Sequence, residues 1–304
     1  MTTAETPAAP RHPRLEEPGQ GGGLRDVFRH RYLLSLLVRK EVRVRYQGTV
    51  FGFAWSYVKP LVRFLVYFLV IGLVFGIVRR VPNFAVHIVA GMAMVHYFTE
   101  TFGSATKSVI KNRALVRKIY LPREMFPVAS LLVSAVNIVP GLVILFGAAV
   151  LTGWYFEWVM IPAALLGFAI ITAFGMAVGL LFSALNVYYR DFSKVVEILT
   201  MLTFWSCPMI YSFDRISDLF FADPDLRWAG ELYLANPLAI SVMLFQRAFW
   251  VPTVANDPTV DQTQVTLAPD LYTRGLIILA VSVLLVFVAQ KVFTRLEPSF
   301  AEQL

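Results

Sequence analysis

Six long apolar stretches, separated by short polar segments, dominate the pattern of this chain. A bilayer core about 30 Å thick requires ~20 apolar residues for each helical crossing, and all six stretches are near or above that length. The pattern therefore predicts an all-α, polytopic membrane protein with six transmembrane helices. The predicted spans are Leu61–Val78, Phe84–Thr106, Met125–Thr152, Val159–Leu185, Val195–Phe213 and Gly275–Phe293.

Other segments carry weaker patterns. Asp26–Tyr46 alternates apolar blocks with Arg and Lys, which predicts an N-terminal amphipathic helix on the membrane surface. The alternative is a solvated linker whose arginines only fix the topology. Pro237–Trp250 is apolar but too short to cross, so we expect a re-entrant or interfacial helix between spans 5 and 6. Residues 1–23 are rich in Pro, Gly, Ala and charge, which predicts a disordered cytoplasmic tail before a membrane domain of residues 24–304.

Composition agrees with a membrane protein, since 57% of the residues are hydrophobic and only 15% are charged. The one cysteine, Cys207, lies inside the fifth apolar stretch, where we expect it to pack as a small apolar side chain. A net charge of +7 would suggest nucleic acid in a soluble protein. Here the positions of the charges explain it better, and we expect no nucleic-acid partner.

The basic residues predict the orientation of the chain. Of the 27 Lys and Arg residues, nine precede Phe51 and six lie between Lys107 and Arg123, whereas the segment Asp214–Leu271 has eight acidic residues and three arginines. Because cytoplasmic loops of membrane proteins are enriched in Lys and Arg, we expect both termini in the cytoplasm and Asp214–Leu271 outside. The predicted location is a bacterial inner or plasma membrane.

Four segments in order resemble a known family. The first, beginning at Leu37, is LVRKEVRVRYQGTVFGFAWSYVKPLVRF; the second and third are RALVRKIYLPREMFPVAS from Arg113 and LNVYYRDFSKVVEIL from Leu185. The fourth consists of SCPMIY from Ser206 and LANPLAISVMLFQR from Leu234. These segments resemble the type-2 ABC exporter permeases. The most similar subgroup moves O-antigen, teichoic acid or cell-wall galactan on polyprenyl-pyrophosphate carriers.

The resemblance implies that this chain pairs with a second copy of itself and with two separate ATPase subunits. No G-x-x-x-x-G-K-[ST] phosphate loop occurs in the sequence, so we expect no enzyme activity or cofactor in this chain, with ATP and Mg²⁺ bound by the partner. A homodimer is also expected because six helices enclose too little space for a polymer. The expected substrate is a polyprenyl-pyrophosphate-linked polysaccharide.

The resemblance also places an ATPase-coupling helix in the loop Lys107–Glu124. Its expected residues are Arg113, Arg117, Lys118 and Tyr120, and Arg190 with Asp191 is a second expected contact. The alternatives are a loop whose charges only mark the cytoplasmic side and a local ion pair of ~0 to 1 kcal/mol.

Lys59 and Arg63 depart from the family pattern, in which the residues flanking the equivalent proline are usually uncharged. They lie at positions i and i+4 on one helix face, where they could bind the lipid pyrophosphate with Arg43 and Arg45. The alternative is that both side chains extend to the phosphate groups of ordinary membrane lipids in the inner leaflet.

Aromatic and polar residues of the first two spans are candidates for a channel lining, because sugar rings stack on aromatic faces. For each aromatic ring, the alternative is packing within the protein or anchoring at the membrane interface. Glu100 is expected to face a pore or a partner helix, since a carboxylate at this depth is costly. His96 lies nearby, but without further ligands at metal spacing we expect no metal site. The candidates are Tyr57, Phe64, Tyr67, Phe68, Tyr97, Phe98, Glu100 and Phe102.

Pro208 lies inside the predicted fifth span, where it removes a backbone hydrogen bond and should break or bend the helix. With Tyr211 it is a candidate for an outer gate, and a static bend is the alternative. Two other functions compete with export: a membrane enzyme or flippase acting on polyprenyl-linked sugars, and an ion-coupled carrier. The first would need clustered catalytic carboxylates or histidines in the spans, and the second would show internal repeats.

Overall fold

The computed structural model describes residues 23–47, 54–118, 121–255 and 265–304. Every regular element in these ranges is a helix and none is a strand, which confirms the all-α prediction. The predicted tail, apart from Gly23, and the predicted coupling residue Tyr120 lie outside the described residues.

The helices are labelled in chain order. The first seven are α1 (Leu24–Arg29), α2 (Arg31–Tyr46), α3 (Trp55–Tyr67), α4 (Phe84–Lys111), α5 (Arg113–Lys118), α6 (Met125–Asn137) and α7 (Val139–Leu151). The remaining ones are α8 (Met160–Tyr188), α9 (Phe192–Trp205), α10 (Phe213–Ile216), α11 (Arg227–Leu234), α12 (Pro237–Phe249), α13 (Val251–Val254), α14 (Leu271–Leu296) and α15 (Phe300–Gln303).

Several helices have the length and hydropathy of membrane spans, which confirms a polytopic membrane protein. Within the described ranges four qualify singly, and the pair Pro224–Leu234 and Pro237–Phe249, bent by 80°, adds a fifth if it is one broken span. The total of six spans stays a prediction. The four single spans are Trp55–Val74, Met125–Leu151, Met160–Tyr188 and Leu271–Ser299.

The second and fifth predicted spans differ from these four. Helix α4 has 28 residues, more than enough to cross, but His87, His96 and Glu100 lower its mean hydropathy. The predicted fifth span, Val195–Phe213, is wrong in its outer half, because α9 ends at Trp205 after 14 residues. The chain then runs without regular structure until α10, so the predicted break near Pro208 is confirmed.

Helix ends also differ from the hydropathy pattern for local reasons. The first span begins at Trp55, six residues before the predicted apolar run, and the added turns include Lys59. It ends near Gly76, which has the left-handed φ of 72° that glycine adopts at helix ends. The third span is divided at Ile138, two residues before Pro140.

Helix α8 lies at the centre of the fold and packs against α4, α12 and α14. Small residues permit the close approach of α4 and α8, since a Cβ atom on Gly179 would lie 2.9 Å from the Cβ atom of Ala105. Helix α12 is buried on all sides by these neighbours. The interfacial alternative for Pro237–Trp250 is therefore wrong, because a helix on the membrane surface keeps one face exposed.

The segments that the charge pattern assigns to the cytoplasm gather at one end of the molecule. A single apolar cluster, here called the basal cluster, joins α1, α2, α5, α15 and the adjoining ends of α6, α8 and α14. In α2, Leu34 and Leu37 are buried in this cluster, whereas Tyr32, Leu33 and Leu36 are exposed. Helix α2 is thus amphipathic, with part of its apolar side packed on protein.

Candidate functional site

A cavity of about 650 Å³ lies between α2, α3, α4 and α6, and two of the four charged residues of the predicted spans, Arg63 and Glu100, line it. We call it the basic cavity. Arg45 reaches it from the end of α2, and Lys59 and Arg63 reach it from α3 because residues four apart share a helix face. The residues that line it are Arg45, Trp55, Ser56, Lys59, Pro60, Arg63, His96, Thr99, Glu100 and Asn137.

Glu100 lies close to three other polar side chains of this cavity. Its Oε1 accepts one hydrogen bond from Nη1 of Arg45 and a second, of 2.7 Å, from Nδ2 of Asn137. Its Oε2 lies 3.7 Å from Nε2 of His96, one turn earlier on α4. Glu100 thus lies at a cavity and contacts α6; that this cavity belongs to a pore stays a prediction.

His96 links Glu100 to Arg63. Nη1 of Arg63 lies 3.1 Å from Nδ1 of His96, and a guanidinium can only donate, so Nδ1 is the acceptor. The neutral ring then carries its proton on Nε2, which faces the Glu100 carboxylate. Arg63 and Glu100 therefore lie beside opposite nitrogens of the same imidazole ring.

Lys59 differs from the two arginines. Among the described residues, no carboxylate lies within ion-pair distance of its ammonium group. With Arg45, Lys59 and Arg63 against Glu100 alone, the cavity has an excess of about two positive charges. A compact ligand with two negative charges and several acceptor oxygens matches this arrangement.

Arg43 does not join the predicted set. It is exposed and does not line the basic cavity, because two residues along an α-helix correspond to a rotation of ~200°. Arg45 and Arg43 therefore point to different sides of α2. The structure therefore brings three of the four predicted cations together and leaves Arg43 apart from them.

A second cavity, of about 740 Å³, adjoins the basic one and shares Arg63, His96 and Thr99 with it. We call it the aromatic cavity. Its walls come from α3, α4 and α9 and include Tyr67, Phe204 and Trp205. The Tyr67 and Phe204 rings lie 5.0 Å apart. The two cavities adjoin at Arg63, His96 and Thr99, and we call the pair the groove; cations lie at one end of it and aromatic rings at the other.

Three predicted channel residues do not line this groove. Tyr97, Phe98 and Phe102 are buried on the opposite side of α4, against α8. Phe168 stacks on Tyr97 at 5.1 Å, and Thr172 lies 3.2 Å from its hydroxyl. The prediction was wrong for these residues because a helix buried on most sides places aromatic residues in its core contacts as well.

The other predicted aromatic residues belong to α3 and its continuation. Tyr57 is exposed, and Tyr67 lines the aromatic cavity. Phe64 and Phe68 are partly buried with ring centroids 5.6 Å apart, and Phe68 packs on Phe84. Of these four residues, Tyr67 alone belongs to the groove, and its role as a channel residue stays a prediction.

The chain break around Pro208 is held by buried hydrogen bonds. The side-chain Nε2 of Gln246 donates to the carbonyl of Pro208 at 2.7 Å and to Nε2 of His87 at 3.0 Å. Both hydrogens of this amide are therefore donated, and they connect the break to α12 through Gln246 and to α4 through His87. Tyr211 donates to the carbonyl of Trp205 at 3.0 Å and lies 3.2 Å from the hydroxyl of Tyr233.

The predicted coupling residues lie on the exposed surface of the basal end. Helix α5 buries Val116 in the basal cluster and exposes Arg113, Arg117 and Lys118. Arg190 and Asp191 are exposed in the turn between α8 and α9, where Asp191 pairs with Lys194 at 3.4 Å. The Arg190 and Asp191 side chains are thus neighbours in sequence without an ion pair between them.

Sequence reasoning missed Asn137 and Gln246. Both are uncharged polar residues inside apolar stretches, and a polar group in that setting needs a partner. The position of each residue inside an apolar stretch was therefore a signal that the sequence already contained. Among the described residues, no three His, Cys, Asp or Glu side chains gather at metal-binding distance, and the absence of a metal stays a prediction.

Comparison with known proteins identifies the family. The family model described as ABC-2 type transporter matches residues 32–250. The chain is 25% identical over 284 residues to the O-antigen export system permease protein RfbA of Myxococcus xanthus, covering 92% of this chain and 98% of that protein. Two Klebsiella pneumoniae proteins of the same name are each 26% identical, with 72% and 89% of this chain and 81% and 95% of theirs covered.

Proposed function

The chain belongs to the ABC-2 type transporter family, and we propose that it is the membrane permease of an ATP-driven exporter that carries a lipid-linked polysaccharide out of the cytoplasm. Two of the three relatives named as O-antigen export permeases match it over nearly their whole length. The observation that carries the substrate class is the groove, in which a basic cavity adjoins an aromatic one.

The two parts of the groove suit the two parts of such a substrate. A polyprenyl pyrophosphate has two negative charges and several acceptor oxygens, which Arg45, Lys59 and Arg63 can bind by charge-assisted hydrogen bonds. Tyr67 and the aromatic residues of α9 offer flat faces to the sugar rings that follow. Pyrophosphate binding in the basic cavity is part of this proposal.

The proposal includes a second copy of the chain. In the span Trp55–Val74, only 6% of the residues of its apolar window are buried within one chain. Apolar side chains of α9 such as Met201 and Trp205 are exposed beside it. These two surfaces flank the aromatic cavity. A second chain packed on them would cover the apolar residues and convert the groove into a closed passage.

The motor of the proposed exporter is a separate ATPase, which holds ATP and Mg²⁺. It would dock on the basal end, where α5 exposes three cations and is packed through Val116 against the ends of the spans. A short packed helix moves as a rigid body and can pass a displacement on to the spans. Both termini then face the cytoplasm of a bacterial inner or plasma membrane.

Co-expression with the cognate ATPase tests this function. The permease purified alone should not hydrolyse ATP, and the two proteins together should form a stable complex whose hydrolysis rises with lipid-linked polysaccharide. Robust hydrolysis by the isolated permease, or a complex indifferent to the lipid-linked polymer, would contradict the proposal.

A further inference from the structure

A further cavity, of about 590 Å³, lies between α2 and the span that α6 and α7 form together. We call it the lateral cavity, and the residues that line it differ from those of the groove. Helix α2 supplies one wall, which includes two arginines, and the span supplies the other, which is apolar. The lining residues are Arg31, Leu34, Ser35, Val38, Arg39, Leu132, Ala135, Val136 and Val139.

The polar part of the α2 wall is a single stripe of donors. Arg31, Ser35 and Arg39 follow one another at four-residue steps, so they share one face of the helix, and each arginine is ~6 Å along the axis from Ser35. All three residues are exposed. Among the described residues, neither arginine has a carboxylate at ion-pair distance. The lateral cavity thus has two uncompensated cations on either side of a hydroxyl group.

The opposite wall is part of a membrane span. Leu132, Val136 and Val139 belong to the span Met125–Leu151 and are between 37% and 48% exposed. Apolar side chains at such positions of a span contact hydrocarbon. The ligand that matches both walls is therefore anionic at one end and apolar at the other.

We propose that the lateral cavity binds one anionic phospholipid of the phosphatidylglycerol type. Its phosphate accepts hydrogen bonds from Arg31, Ser35 and Arg39, and an acyl chain lies along α6 and α7. A zwitterionic lipid has the same phosphate but carries its own cation, which cancels most of its attraction to the two arginines. The charge pattern predicts this end of the molecule in the cytoplasm, and the cytoplasmic leaflet is the one rich in anionic lipids.

Such a lipid would also position the proposed substrate site, because α2 borders both cavities. Arg31 and Arg39 contribute to the lateral cavity, whereas Arg45 at the end of the same helix lines the basic cavity. A lipid between α2 and the span α6–α7 fills the space beside α2 and holds this helix in place. The site goes beyond the proposed function, since it binds a lipid of the surrounding membrane and not the exported polymer.

The test is a titration of lipid into the full-length permease in complex with its ATPase. Phosphatidylglycerol or phosphatidylcholine is added in detergent, and the bound lipids are counted by native mass spectrometry. Wild type should retain one phosphatidylglycerol for each permease chain and should not retain phosphatidylcholine in its place. Arg31→Gln with Arg39→Gln should lower the affinity for phosphatidylglycerol roughly tenfold, the effect of about one charge-assisted hydrogen bond.

The matched control is Arg29→Gln with Arg43→Gln. This pair makes the same change in charge at two exposed arginines that do not line the lateral cavity, and its affinity should equal that of wild type. Inorganic phosphate should not displace the lipid, because it has no apolar part. Val136→Ser should weaken phosphatidylglycerol binding by a smaller factor, roughly threefold, since it removes apolar contact. That variant decides the matter if the double arginine variant does not assemble.

Several results would overturn the inference. Equal retention of the two lipids, or binding that does not saturate at one lipid for each chain, would mean that only non-specific boundary lipid is present. Equal losses in both double arginine variants would show an effect of overall charge alone. A wild type that binds no lipid, with a dimer that dissociates in Arg31→Gln with Arg39→Gln, would assign this wall to a protein contact. Each result is read on the purified complex without polymer, so it stands apart from success or failure of the proposed export function.

Discussion

Lys59 and Arg63 are the residues on which headgroup binding should depend most, since they are the cations not committed to Glu100. We predict that Lys59→Ala with Arg63→Ala leaves the complex assembled but slows polymer export roughly tenfold or more. Each charge-assisted hydrogen bond contributes about 1.5 to 3 kcal/mol in a partly dehydrated site. The measurement is the amount of lipid-linked polymer retained in cells at equal permease level.

Arg43→Ala is the matched control for the double variant. It removes a cation from the same end of the molecule, but Arg43 does not line the basic cavity. Its export rate should stay near wild type. Normal export by the double variant would return Lys59 and Arg63 to the role of contacting ordinary inner-leaflet phosphates.

Gln246 should matter for stability, because its amide serves Pro208 and His87 at the same time. Gln246→Leu leaves a buried carbonyl and a buried imidazole nitrogen without this donor, at a cost of about 1 to 3 kcal/mol for each unsatisfied group. We expect a lower midpoint of thermal unfolding in detergent. Gln303→Leu, at an exposed position of α15, is the control and should not change it; equal midpoints for Gln246→Leu and wild type would show that the break does not depend on this amide.

Single residues also show where sequence reasoning stopped. Lys59, Arg63 and Arg45 could be grouped from helical spacing and from the cost of charge in a span. Tyr97, Phe98 and Phe102 could not be assigned to the core, because hydropathy does not tell which side of α4 meets α8. The Glu100 network required Asn137, which is 37 residues away in sequence.

At the scale of elements, α5 carries the sharpest expectation. If α5 docks on the ATPase, Arg117→Glu should uncouple hydrolysis from transport or weaken assembly, since it reverses a charge on the exposed face of a rigid helix. The measurements are co-purification of the ATPase and hydrolysis per exported polymer. Arg79→Glu applies the same change to an exposed residue of the turn between α3 and α4, and it should have no effect. Normal assembly and transport in Arg117→Glu would leave the charges of this loop with a topological role only.

The existence of most elements followed from the sequence, whereas several boundaries did not. A window of hydropathy identifies a run of apolar residues but not the amphipathic turns before it, so the start of α3 at Trp55 was missed. The end of α9 at Trp205 was misplaced because the following residues remain apolar after the helix stops. The break at Pro208 was predictable since proline lacks the donor that a helix needs.

At the scale of the whole molecule, α1, α2, α5 and α15 lie together at one end. The membrane orientation of the chain therefore depends on which side of the membrane this end faces. We expect a cysteine at Asp225 to react with a membrane-impermeant thiol reagent in intact cells and a cysteine at Lys118 not to react. Both positions are exposed, and the native Cys207 is buried, so it contributes little background. Labelling at Lys118 alone would invert the predicted orientation.

The central claim is that this permease exports a lipid-linked polysaccharide, and depletion of the chain in its own bacterium tests it most directly. With the gene under a repressible promoter, we predict that surface polysaccharide falls while lipid-linked polymer accumulates on the cytoplasmic side, and that re-expression reverses both changes. Unchanged surface polysaccharide, with no accumulation of lipid-linked polymer after the permease has disappeared, would contradict the claim.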